Sequence, residues 1–207
     1  MSEDIVNLSS LQIDALKEIG NVGAGNAATS LAVLINRRVE MTVPRVSIVL
    51  LTRLWDLIGE AEELVSAILL RVAGPAPASI VFMLSHQNAM LMADMLLGRS
   101  PGATRQLGEI EQSALKELGN ILTGTYLSAL NRFTGLEFSP SVPMLAIDML
   151  AAVISSLVSP LAEVGDHSLV IETVFSSSDH EAIIGQFLLL PDPGSLTVIL
   201  ERLGVDR

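Results

Sequence analysis

The chain contains no cysteine. That excludes a disulfide scaffold, thiolate metal sites and a cysteine nucleophile. Cationic residues are also scarce, with 12 Lys and Arg against 23 Asp and Glu, a formal net charge of −11 and a pI near 4.6. Nucleic-acid binding needs a field of Lys and Arg to displace counterions from phosphates, and twelve scattered basic residues do not form one. An anionic membrane surface is disfavoured for the same reason. Long apolar runs are missing as well: Met144 to Ile147 and Met149 to Ile154 are split by Asp148. Each falls far short of the ~20 residues that span a bilayer. The opening Met1-Ser2-Glu3-Asp4 is acidic where a signal peptide is basic. The expectation is a cytoplasmic protein with no membrane insertion and no nucleic-acid partner.

What is present is apolar. Hydrophobic residues make up 50% of the 207 residues, charged residues 17%, and the mean hydropathy is +0.54. Such a chain is not disordered. Its length predicts one large domain or two half-size units sharing a core, and a chain of this size buries roughly 70% of its unfolded surface.

The most informative feature is an internal repeat. Ala15-Leu16-Lys17-Glu18-Ile19-Gly20-Asn21 recurs as Ala114-Leu115-Lys116-Glu117-Leu118-Gly119-Asn120, offset by 99 residues, with six of seven positions identical. Common residues are used at about 5–10% each, so this match arises by chance on the order of once in a million alignments. Gly25 answers Gly124 and Pro44 answers Pro143 at the same offset. A period this long signals duplication rather than a solenoid, whose repeats run about 20–50 residues. The expected organisation is a single unit over residues 1–207 built from repeats at about 9–100 and 108–207, with the seam at Pro101-Gly102.

Each repeat opens with a long helical pattern. Ser9 and Gln12 form a potential capping box. Leu11, Ala15, Ile19 and Val22, then Leu31, Leu34 and Ile35, keep helical spacing to about Asn36. The second copy runs from Ile110 to about Phe133. Glycines at Gly20, Gly23 and Gly25 cost ~1 kcal/mol each against alanine, which predicts close packing contacts there. Strand-like runs follow at Val46–Leu50, Leu64–Val72, Ser79–Leu84, Leu145–Met149, Ser168–Phe175 and Ala182–Leu190. Short helical patterns cover Thr52–Ile58, Asn88–Leu97, Ala151–Val158 and Gly194–Leu203. The fold class is therefore α+β with pseudo-two-fold symmetry: two long helices on a shared sheet of about six strands.

Asp14, Glu18 and Asn21 lie within ~40° of one helical line, because each residue advances ~100°. Leu16, Ile19 and Gly23 lie elsewhere on the wheel, so the polar line faces solvent. Ser113, Glu117 and Asn120 reproduce it. A single Glu/Asn pair is usually just a solvated helix face. Recurrence of carboxylate and amide in both halves, with asparagine a poor mid-helix residue, favours function instead. Asparagine offers one acceptor and two donors, and so can orient a water without acting as a base. Glutamate can pair with a cation. Neither is a strong nucleophile, so the constellation suits a bond that is already labile.

Other signals are weaker. Gly20, Gly23 and Gly25 do not make a dinucleotide loop, since they fall inside a helix. His86, His167 and His180 share no ligand spacing, and no metal or other cofactor of the chain's own is expected. Trp55, Met83, Met90, Met92 and Met95 read as core, and Ser176-Ser177-Ser178-Asp179 as a turn.

The pattern Asp-or-Ser, three residues, Glu, two residues, Asn, twenty-two residues and Pro resembles the signature of the CheC/CheX/FliY chemotaxis phosphatases. Asp14, Glu18, Asn21 and Pro44 match it, as do Ser113, Glu117, Asn120 and Pro143. The resemblance covers nearly the whole chain and is nearest to two-site CheC proteins. It implies hydrolysis of the aspartyl-phosphate of a CheY-type response regulator. In that scheme Asn21 and Asn120 orient the attacking water, Glu18 and Glu117 engage the regulator's lysine, and the regulator carries the Mg2+. Asp14 and Ser113 open the motif, and Pro44 and Pro143 are assigned to chain geometry. A CheD deamidase partner is also implied. The competing expectation is a non-catalytic chemotaxis adaptor or flagellar switch-like protein that binds CheY-P or CheD.

Overall fold

A computed structural model describes residues 9–36, 38–50, 59–158, 167–177 and 180–205. The helical pattern at Thr52–Ile58, Trp55, and Ser178-Asp179 of the expected turn lie outside these residues. Helix α1 spans Ser10–Ile35. Its start is the expected capping box: Gln12 N–H donates to Ser9 Oγ at 3.3 Å, and Ser9 N–H donates to Gln12 Oε1 at 2.8 Å. It stops at Asn36, whose left-handed φ of 51° closes the last turn. Strand β1 (Val39–Leu50), β2 (Leu64–Ala73), β3 (Ala78–Ser85) and helix α2 (His86–Leu96) complete the first repeat. Helix α3 (Glu109–Thr134) opens the second and ends at Gly135, φ 70°. Glu109 and Glu111 in its first turn complement the helix dipole. Then come β4 (Ser139–Pro140), β5 (Met144–Met149), α4 (Leu150–Val158), β6 (His167–Ser177), β7 (His180–Pro191) and α5 (Ser195–Arg202). The two long helices have 26 residues each, or ~39 Å at ~1.5 Å per residue.

All pairings in the sheet are antiparallel, in the order β1-β6-β7-β3-β2-β4, with β5 also on β2. β4 and β5 lie in succession along the same edge of β2, Pro140 opposite Val72 and Met144 opposite Leu69. They are one edge strand interrupted at 141–143, so the seven segments form the expected six strands. The other edge is irregular at the equivalent place, with a register shift between Thr42 and Arg45 in the β1–β6 pair. Proline cannot donate to a ladder and is confined to edges and bulges. Pro44 sits within the shift between Thr42 and Arg45, and Pro143 within the break at 141–143.

The repeats are not side by side. β1 of the first pairs with β6 of the second, β4 and β5 of the second pair with β2 of the first, and β3 meets β7 in the middle. Each half therefore donates its first strand to the other. α1, α2, α3 and α5 cover one face through a core that includes Leu16, Ile19, Ile68, Phe82, Leu115, Leu118 and Phe175. α4 covers part of the other face with Leu150, Val153 and Ile154 against Val65, Val81, Met83 and Leu188. Covered on both faces, β3 is buried from Ala78 to Leu84. Met83, Met92 and Met95 are core residues as expected.

Candidate functional site

α1 and α3 pack against each other along a seam built on small residues. A Cβ at Gly23 would lie 3.2 Å from Tyr126 Cδ2 and 3.3 Å from its Cα. Gly20, Ala24 and Ala27 line the same seam with Leu122 and Tyr126. The Tyr126 ring packs on Phe187 with centroids 5.0 Å apart, and burial raises its phenol pKa. The glycine expectation thus holds at Gly23. At Gly20 the nearest atom is Val43 Cγ1 at an ordinary 3.7 Å. It fails at Gly25, where nothing lies within 4 Å of an added Cβ. In α3, Gly119 is pressed onto β2, where a Cβ would collide with the Ile68 side chain.

With Leu16, Ile19 and Gly23 turned inward, the opposite side of α1 presents Asp14, Glu18 and Asn21, all exposed. Ser113, Glu117 and Asn120 are likewise exposed on α3, above buried Leu115, Leu118 and Leu122. Each trio is supplied by a single helix, held in register by the core beneath it. In the second, Asn120 Nδ2 donates to Glu117 Oε2 at 3.3 Å. Among the described residues no hydrogen bond joins Glu18 to Asn21. The motif prolines lie on the sheet edges rather than beside the amides in sequence. Gly25 and Gly124 are exposed on the same helical lines as the trios. Their signal was available as wheel positions that carry glycine without a turn to explain it.

Among the described residues no group of three or more His, Asp or Glu side chains is arranged to hold a metal ion. His86 instead places Nδ1 3.2 Å from Ser66 Oγ at the start of α2. No described helix is long and apolar enough to cross a membrane. Two exposed trios, each with an amide donor beside a carboxylate, can orient a water and grip a cation on a docked partner. Neither the amide nor the carboxylate is a strong nucleophile.

Known proteins resemble this chain in sequence and in fold. The CheC-like family matches residues 11–48 and 110–147, which are the two motif helices with the strands that follow. The CheY-P phosphatase CheC of Bacillus subtilis is 38% identical over 196 residues, covering 93% of this chain and 94% of its own length. The flagellar motor switch phosphatase FliY of the same organism is 28% identical over 68% of this chain and 36% of that protein. In fold, the crystal structure of Thermotoga maritima FliY superposes with a TM-score of 0.78 at 20% identity, covering 97% of this chain and 99% of that one. A near-full-length relative, together with two matches to one motif at equivalent places in the duplicated fold, establishes that the chain belongs to the CheC-like family.

Proposed function

We propose that the protein hydrolyses the aspartyl-phosphate of a CheY-type response regulator, with a site on each long helix. The observation that carries the reading is the exposed Glu/Asn pair repeated on α1 and α3 in a chain 38% identical to a CheY-P phosphatase. Asn21 and Asn120 orient the attacking water toward phosphorus. Glu18 and Glu117 pair with the regulator's active-site lysine and fix the docked geometry. The Mg2+ is the regulator's own. Asp14 and Ser113 flank the contact, while Pro44 and Pro143 shape the edge strands beneath.

The energetics support so spare a site. An acyl phosphate hydrolyses unaided, and a hundredfold acceleration needs only ~2.7 kcal/mol off the barrier. Orientation of reactants contributes ~7 kcal/mol or more in favourable cases. On this reading the protein acts in the cytoplasm as a single unit of two repeats. CheD is a proposed second partner.

The test is the decay rate of phosphorylated CheY with and without the protein. Faster decay, with no turnover of a generic aryl phosphate, is the expected outcome. Robust hydrolysis of the aryl phosphate by pure protein would refute a mechanism that relies on water alone, with no strong nucleophile from the protein.

A further inference from the structure

A glycine inside a helix costs ~1 kcal/mol relative to alanine, so a helical glycine needs a reason. Several glycines of this fold have one, and Gly20 is buried in the α1–α3 seam with Val43 Cγ1 3.7 Å from an added Cβ. Gly23 admits Tyr126 and Gly119 admits Ile68. Gly185 in β7 would strike the Phe82 ring at 2.6 Å if it carried a Cβ. Gly59, Gly74, Gly98, Gly102, Gly135, Gly194 and Gly204 adopt positive φ. Gly25 and Gly124 have neither reason. Both lie in regular α-helix, both are exposed, and nothing stands within 4 Å of the Cβ that either lacks.

They are also equivalent, offset by the same 99 residues as the motif. On the helical wheel Gly25 falls between Glu18 and Asn21, within ~40° of each, one turn beyond the asparagine. Gly124 stands the same way to Glu117 and Asn120. It also opens into a groove of about 380 Å³ lined by Leu127, Ser128, Asn131 and Phe138.

We infer that Gly25 and Gly124 are positioning residues for docking of the phosphorylated regulator, kept without side chains so that the partner's surface can approach the helix backbone beside each asparagine. This rests on the phosphatase reading above. Asparagine is short, and its amide reaches a phosphoryl group recessed in another protein only if no neighbour on the same helical line projects as far. The residue one turn ahead, Glu18 or Glu117, is long but is itself the group that enters the partner. The residue one turn behind has no such role, and any side chain there holds the two surfaces apart. The missing methyl group therefore answers to a molecule outside the chain.

The experiment compares the full chain with Gly25→Ala/Gly124→Ala, Gly25→Leu/Gly124→Leu and the exposed control Ser30→Leu on α1. Hydrolysis of phosphorylated CheY gives KM and kcat separately. Binding of CheY loaded with a beryllofluoride phosphoryl mimic reads docking alone. Melting temperatures should hold or rise in both double variants, because alanine and leucine are the better helix formers. KM should rise about fivefold for the alanine pair and more for the leucine pair, with weaker binding to match and kcat within about a factor of two. Ser30→Leu should change neither. Unchanged KM and binding in a folded leucine pair overturns the inference while leaving the phosphatase reading intact. A fall in activity that merely follows a fall in melting temperature overturns it too. A wild-type protein that binds the loaded regulator without hydrolysing its phosphate refutes the phosphatase reading alone, and binding by the variants then decides the docking role.

Discussion

Asn21 and Asn120 sit mid-helix and exposed, where alanine is the better helix former. The double change Asn21→Ala plus Asn120→Ala should therefore abolish CheY-P hydrolysis while the melting temperature holds or rises. Loss of activity with a large fall in melting temperature would assign the asparagines a structural role instead. The two sites should not be equal. Asp14 and Glu18 place two carboxylates one turn apart on α1, whereas α3 has Ser113 and Glu117. Like charges at that spacing cost a few tenths of a kcal/mol, roughly what an unlike pair gains. The anionic phosphoryl group is also repelled more by two carboxylates than by one. Glu117 further holds the Asn120 amide at 3.3 Å, so the second pair is partly ordered before docking. The Glu117/Asn120 site should contribute more activity, by a small margin, because exposed charges are screened over ~8 Å at physiological salt. Initial rates of the single variants decide it: a larger loss from Asn21→Ala would show that helix geometry outweighs charge.

At the scale of elements, the helices were legible because their signals are local. Ser9 with Gln12, the apolar spacing through α1, and Asn36 after it fixed both ends of that helix to within a residue. The exposed trios followed from the same periodicity. The glycines were only half legible. Whether a helical glycine is filled against depends on what another element brings to it, and neither Tyr126 opposite Gly23 nor Ile68 under Gly119 is visible from the helix's own sequence. That difference predicts opposite signs for one chemical change. At Gly119 the added methyl meets a buried, β-branched Ile68, and overpacking of this kind costs about 1–3 kcal/mol. The helix gains back only ~1 kcal/mol. Gly119→Ala should therefore lower the melting temperature, by roughly 2–4 °C per kcal/mol of net loss for a protein of this size. Gly25→Ala should not. Thermal denaturation of the two variants side by side checks the contrast, and equal shifts would mean that Ile68 can move aside.

For the whole molecule, the duplication and the strand count could be read from the chain, but the exchange of first strands could not. Apolar and β-branched runs mark Val46–Leu50 and Leu145–Met149 as strands without saying which neighbour each will choose. Pairing is a long-range choice, and here β1 crosses to β6 while β4 and β5 cross to β2. The exchange makes each half incomplete. Alone, residues 1–100 would keep the β2–β3 pair but leave β1 without the only strand it pairs with among the described residues, and leave β3 without β7. Ile80, Phe82 and Leu84 would lose the neighbouring strand on that side, and Leu16 and Ile19 would lose much of the core they share with α3. Bare apolar strand edges of this length are sites of association rather than of stable monomers. A second copy of the same half can meet the need. Because β3 pairs β7 antiparallel and the repeats are pseudo-equivalent, two copies can join β3 to β3 about a two-fold axis, each lending β1 to the other's β2. Residues 1–100 expressed alone should be either unfolded or a dimer. Light scattering with circular dichroism distinguishes these outcomes, and a folded monomer at micromolar concentration would show that the exchanged strands are dispensable to each half.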